Sequence, residues 1–352
     1  MIANPVFIIG TERSGSNLLR LLLNAHPNIA IPHPPHLMRD LSSFSYVYGD
    51  LTQDANLRKL VRDTLQILRL HFAPWPFVIT EKALLSELSS PSLYGIYTAL
   101  YELYRKHSGK KRWGCKSTFM YLHIGEILAQ HSSPKFLHLV RDPRDVAASA
   151  EHSIFSQYHP YKTAQLWTKE QTEIEKWQHL TDEGKILRVR YEDLTVQPES
   201  ELKRIMNFLS EDFQPQQLQF FKGPEANTLS KLSASWKHCA NPVSNQSIGR
   251  FQSQLSSQEI TYVEMQTHEL MRKYGYELTT TPRLNSASSW ELARIEYSDK
   301  LMMLGTEIKS LLTDKNFFLR WKKKCFLQYI KRIRSLEYEH RQSRKNRSKQ
   351  NF

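Results

Sequence analysis

Along the chain the spacing of apolar and polar positions changes several times, and each change marks an element. Pro5 to Gly10 (PVFIIG) is a short apolar run closed by glycine, the pattern of a buried parallel strand. TERSGSN is a polar turn, and Leu18 to Ala25 (LLRLLLNA) predicts a buried helix after it. Strand, polar turn and helix in that order open an α/β unit. His26 to His36 holds four prolines in eleven residues, so it is extended or turned, not helical. From Leu37 to Lys111 the spacing is helical, interrupted at Pro74, Pro76 and Pro91. Lys135 to Val140 (KFLHLV) and Ile186 to Tyr191 (ILRVRY) predict two more strands, and a helix should begin near Asp145. Glu199–Leu209 and Ser257–Tyr274 read as helices, Arg283–Ser289 as a linker, and residues 290–340 as one or two amphipathic helices. Strands alternating with helices predict an α/β fold with a central parallel sheet and helices on both faces.

Composition narrows the picture. An apolar fraction of 40% and a charged fraction of 24% are those of a globular protein. No run approaches the roughly 20 apolar residues of a membrane span. The first residues lack the basic start and apolar length of a signal peptide. Cys115, Cys239 and Cys325 are far apart and odd in number, which suits a reducing, cytoplasmic setting. They and the histidines show no metal-ligand spacing. The net charge of +13 is uneven: residues 315–352 carry thirteen Lys/Arg against Glu337 and Glu339, leaving 35 basic and 33 acidic residues before them. A nearly neutral body with a basic tail does not read as a nucleic-acid binder.

The turn after the first strand is a candidate anion site, because the N–H groups opening a helix lack internal partners. Gly10 and Gly15 keep the glycine spacing of a P-loop, but the Lys and Ser/Thr that should follow the second glycine are missing. That makes a kinase or NTPase the weaker reading. FLHLVRDPRDVAASA repeats the strand–turn–helix pattern and places Arg141 and Ser149 where they can converge on one phosphate group.

Together, Thr11–Leu18 and Leu139–Ser149 resemble the two nucleotide-gripping segments of the sulfotransferase superfamily, which uses 3′-phosphoadenylyl sulfate (PAPS). Arg112–Ser117 (RWGCKS), Val189–Leu194 (VRYEDL) and Ser247–Arg250 (SIGR) with the later KYGY resemble further family elements, so the likeness spans about residues 4–278. Arg13 in the loop places the chain nearer the tyrosylprotein and bacterial-type branch than the cytosolic phenol/steroid branch. The resemblance implies a P-loop-like sulfotransferase fold and transfer of a sulfuryl group from PAPS to a hydroxyl or amine, without a metal.

It also implies roles. Arg13, Ser14, Gly15, Ser16, Asn17 and Leu18 would hold the 5′-phosphosulfate, with Asn17 replacing the family's usual Thr. Arg141 and Ser149 would hold the 3′-phosphate, with Tyr191 and Arg250 as further nucleotide contacts. Lys116 matches a lysine facing the sulfonate. Arg144 suits a local salt bridge to Asp142 or Asp145. The related branch carries a basic Glu about twenty residues after the loop arginine; here the aligned position is Pro34. His33 and His36, on a proline-stiffened segment, are then the candidates for general base, His36 slightly preferred. A nucleotide-binding protein that has lost its base remains an alternative.

The expected division is a sulfotransferase domain over residues 1–282 and a basic helical tail over 283–352. The helical insertion 37–112 and the segment 151–180 would wall the acceptor site. Carbohydrate, peptide, lipid and small alcohol all remain open as acceptors. In the tail, Phe318, Trp321, Cys325, Tyr329, Ile333 and Leu336 recur at helical steps between cations. Three readings stand for residues 315–340: docking on the body or a second subunit, a helix on a membrane surface, or capture of an anionic partner.

Overall fold

The structure, a computed structural model, describes residues 4–150, 158–232, 234–281 and 287–350. Most of the expected linker and the first part of the 151–180 wall lie outside the described residues.

Five parallel strands form the sheet: β1 (Val6–Gly10), β2 (Ile29–Ala30), β3 (Arg112–Cys115), β4 (Lys135–Val140) and β5 (Ile186–Arg190), in the order β2-β3-β1-β4-β5. The three strands expected from apolar runs are β1, β4 and β5. The other two have weak signatures: β2 is two residues long, and β3 (RWGC) mixes a cation and a glycine with apolar residues. In β1, Val6 and Ile8 join one apolar cluster while Phe7 and Ile9 join another, so both faces of the sheet are covered. The helices Ser16–Asn24 and Pro198–Leu209 contribute to the first cluster. Asp54–Arg69, Leu93–His107 and Ile124–Gln130 contribute to the second.

The register decides where the chemistry lies. Gly10 pairs with Leu139, and Phe7 pairs with both Cys115 and Phe136. The loops leaving β3, β1 and β4 therefore emerge side by side at the carboxyl edge of the sheet, the edge where open α/β sheets bind ligands. The segments after β2 and β5 emerge at the same edge.

The tail is a helix, Phe317–Gln350, which follows another long helix, Ser289–Thr313. It lies on the insertion. Ile330, Phe326, Leu327 and Tyr338 join the cluster that holds Tyr48 and Leu60. Arg334 pairs with Asp63 at 3.0 Å, and Asp63 also accepts the Tyr48 hydroxyl at 2.8 Å. Lys59 pairs with Glu337 at 2.8 Å, and Arg341 donates to the Val47 carbonyl at 2.6 Å. Among the described residues, no helix is long and apolar enough to cross a membrane.

Candidate active site

The loop after β1 has an unusual backbone. Gly10, Arg13 and Gly15 all have positive φ (141°, 69° and 88°). A Cβ at Gly10 would lie 2.2 Å from the Leu139 carbonyl oxygen, and one at Gly15 would lie 2.3 Å from Tyr191 Cδ2. Only glycine fits at either place. Gly15 then opens the helix Ser16–Asn24, whose first turn receives no side-chain cap, so its N–H groups face the cavity above it. Arg13, His36 and Ser210 are the non-glycine residues with positive φ among those described, and Arg13 and His36 both line the cavity. Such strain persists where surrounding structure holds it, often at functional sites.

Arg13 joins the two segments expected to bind anions. Its Nε and Nη2 donate to Ser149 Oγ at 3.1 and 3.0 Å. Arg141 donates from Nη1 to the Arg13 carbonyl at 2.9 Å and from Nη2 to the Ser247 carbonyl at 2.7 Å. Its guanidinium lies 4.4 Å from the centre of the Tyr191 ring. Burial, followed by the Arg141 charge, lowers the Arg13 pKa. Ser14 Oγ and Arg141 Nε are buried with no partner. The orphaned Arg141 Nε, in a cavity lined also by Arg13 and Lys116, suits an anion bearing several oxygens.

Lys116 leaves β3 beside this cluster and makes no hydrogen bond to a described residue. Withdrawal from water lowers its pKa to about 8, with the Glu12 carboxylate opposing the shift. Next to it, Ser117 Oγ lies 3.3 Å from His36 Nδ1. His36 is half-buried, and burial followed by Arg39 and Lys116 keeps its pKa well below the ordinary value. His33 is buried deeper. Its Nδ1 lies 3.0 Å from His71 Nε2, its Nε2 has no partner, and Phe72 and Trp236 flank the ring. Burial and His71 likewise lower the pKa of His33. Both imidazoles are neutral at neutral pH and able to accept a proton.

These groups share a cavity of about 930 Å³. Every expected site residue lines it except Ser14, which is buried behind the loop. Arg250 is exposed at the rim and donates to the Gln246 carbonyl at 2.9 Å. Its segment is tied down by Asp145, which accepts the N–H groups of Gly249 (2.8 Å) and Phe251 (3.0 Å). Arg144 makes the expected local salt bridge to Asp142 and a second one to Glu264, each at 2.6 Å in a buried setting.

Sequence reasoning missed several contributors. Glu12 lines the cavity and was visible next to Arg13. His71, Phe72 and Trp236 carried no local signal, since only the fold brings them to His33. The tail also reaches the site: Lys323 donates to the Pro35 carbonyl at 2.9 Å and pairs with Asp40 at 2.7 Å, while Trp321, Lys324 and Leu327 line the wall. Among the described residues, no group of three or more His, Cys, Asp or Glu is placed to hold a metal.

Comparison with known proteins agrees with this geometry. The model of the Sulfotransferase family matches residues 5–215. A protein-tyrosine sulfotransferase of Drosophila melanogaster is 23% identical over 264 residues, covering 71% of this chain and 47% of the relative, so the match spans about half of that protein. A putative protein-tyrosine sulfotransferase of Caenorhabditis briggsae is 27% identical over 222 residues, covering 60% of this chain and 68% of the relative. The solved sulfotransferase domain of the Synechococcus PCC 7002 olefin synthase superposes with a TM-score of 0.52 at 20% identity, over 78% of this chain and 97% of the domain. That of the curacin biosynthetic pathway gives the same score and identity, over 78% and 99%. The solved domains share the fold, the family match covers more than half of the sequence, and the chain belongs to the sulfotransferase family.

Proposed function

We propose that the protein transfers a sulfuryl group from PAPS to a hydroxyl, or an amine, of an acceptor by in-line displacement. The observation that carries this reading is the Arg13–Ser149 hydrogen bond, which joins the two anion-gripping segments at one cavity. Arg141 Nε, buried and unpartnered in a residue that lines the cavity, suits an anionic group of the nucleotide. When bound, PAPS supplies an electrophilic sulfur joined to a phosphate leaving group.

The protein's residues orient the reactants and steady charge. Arg13 and the N–H groups opening the Ser16–Asn24 helix hold the 5′ oxygens. Arg141, stacked on Tyr191, and Ser149 hold the 3′-phosphate, and Arg250 closes the rim. Lys116, charged below about pH 8, offsets the negative charge that develops on transfer. His36 takes the acceptor proton: it is neutral, half-open to the cavity, held by a left-handed backbone and linked through Ser117 to the Lys116 segment. His33, fixed by His71, lines the acceptor side.

Transfer from labelled PAPS to an acceptor panel, compared with Arg13→Ala, tests the proposal. The tyrosine sulfotransferase relatives put a peptide tyrosine first in that panel, ahead of carbohydrate, lipid headgroup and small alcohol. Tight binding of 3′,5′-ADP without transfer to any acceptor would instead make this a nucleotide-binding protein. Magnesium-dependent ATP hydrolysis would make it an NTPase.

A further inference from the structure

The tail helix meets the body through one side and leaves the other bare. Lys323, Leu327, Ile330, Arg334 and Arg341 are turned toward the insertion, where they form the ion pairs and apolar contacts described above. The apolar stripe visible in the sequence faces mostly the other way. Phe318 is 65% exposed, Trp321 53%, Tyr329 61% and Leu336 52%, with Cys325 and Ile333 half-buried. From Phe318 to Leu336 the stripe runs about 27 Å at 1.5 Å per residue. A single exposed apolar residue needs no explanation, but a row of them on one helix face does.

Charge identifies the occupant. Between residues 317 and 344 the exposed Lys, Arg, Asp and Glu side chains are Lys322, Lys324, Lys331, Arg332 and Arg344, against Glu339. A two-fold interface with a second copy would set this face against itself, cation against cation. An aromatic and aliphatic stripe bordered by lysines and arginines fits a headgroup region instead: the apolar side chains enter the acyl boundary while the cations meet anionic headgroups. Trp321 and Lys324 also line the cavity, so the stripe borders the mouth of the site.

We propose that the outward face of the Phe317–Gln350 helix is a docking surface for an anionic lipid bilayer. The helix then lies along the membrane surface, with the cavity mouth at the headgroup level. Docking is independent of the transfer reaction, so its test stands whatever the acceptor proves to be.

Full-length protein is sedimented with vesicles of phosphatidylcholine alone and with vesicles of phosphatidylcholine and phosphatidylserine in equal parts. It should pellet with the anionic vesicles only, and less as salt is raised. Lys331→Gln with Arg332→Gln should weaken this binding by roughly 25-fold, at about fivefold per cation. Tyr329→Ser with Leu336→Ser should also release the protein, while the melting temperature and 3′,5′-ADP affinity stay unchanged, because none of these four residues lines the cavity. The proposal is overturned if the wild-type protein ignores anionic vesicles, or pellets equally with neutral ones. It is also overturned if the serine variants retain full binding. A wild-type dimer that Leu336→Ser dissociates, with no vesicle binding, would assign the face to a second copy.

Discussion

At the end of the cavity proposed to hold the nucleotide, the side chains follow on strand ends: Arg13 after β1, Lys116 after β3, Arg141 after β4 and Tyr191 after β5. The partners of Arg13, Arg141 and Tyr191 are backbone carbonyls, a serine and one another, and Gly10 and Gly15 leave no room for a Cβ. At the end proposed to take the acceptor, the walls come from distant pieces: the 33–36 segment, 70–72, Trp236 and its neighbours, and the tail helix. There the contacts are aromatic rings and histidines packed together. The first end is held by the register of a sheet, so its geometry can serve one nucleotide. The second is held by side-chain packing between separate elements, which can be recut without disturbing the sheet.

Arg13→Ala gives the strongest test of that contrast. Loss of a charged donor aimed at developing charge should lower the transfer rate by about 10³-fold, equally for every acceptor. An acceptor-dependent loss in steady-state assays would break the division between the two ends. His36→Ala should lower kcat by about 10²-fold or more with little change in 3′,5′-ADP affinity, as expected for a lost base. A comparable kcat loss in His33→Ala, with His36→Ala nearly active, would transfer the role to His33. The pH profile comes next. Lys116 loses its proton as pH rises through about 8, so kcat/KM should fall about tenfold per unit above that value. Lys116→Arg should remove this alkaline limb, since a guanidinium stays charged there. His36, held well below its ordinary pKa, should put the acid limb well under pH 6.5. The smallest effect belongs to Phe72→Leu, which trims the acceptor wall. It should change acceptor KM by about fivefold or less, to an extent that depends on the acceptor, and leave nucleotide binding alone.

The same contrast explains what could be read from the chain. β1, β4 and β5 announce themselves as apolar runs because both faces of the sheet are buried. The residues proposed to bind the nucleotide follow within a few positions, so a linear pattern captures them. β2 is too short to show a period, and β3 owes its place to pairing with β1 rather than to composition. The His33–His71 contact joins residues 38 positions apart, and Lys323 reaches Pro35 across 288. No local pattern encodes such meetings. The tail shows a different limit: its apolar stripe was legible, but a helix with apolar residues and cations on both faces could dock by either. The ion pairs of Arg334 with Asp63, Glu337 with Lys59 and Lys323 with Asp40 settle which side turns inward.

The hold of Lys323 on Pro35 and Asp40 makes the tail and the histidine segment thermodynamic neighbours. Linkage between such elements is reciprocal. An acceptor that firms the 33–36 segment must hold the tail helix down by the same free energy, and a tail held against its seat must return that free energy as acceptor affinity. Hydrogen exchange along the helix would then read events at a histidine nearly three hundred residues away.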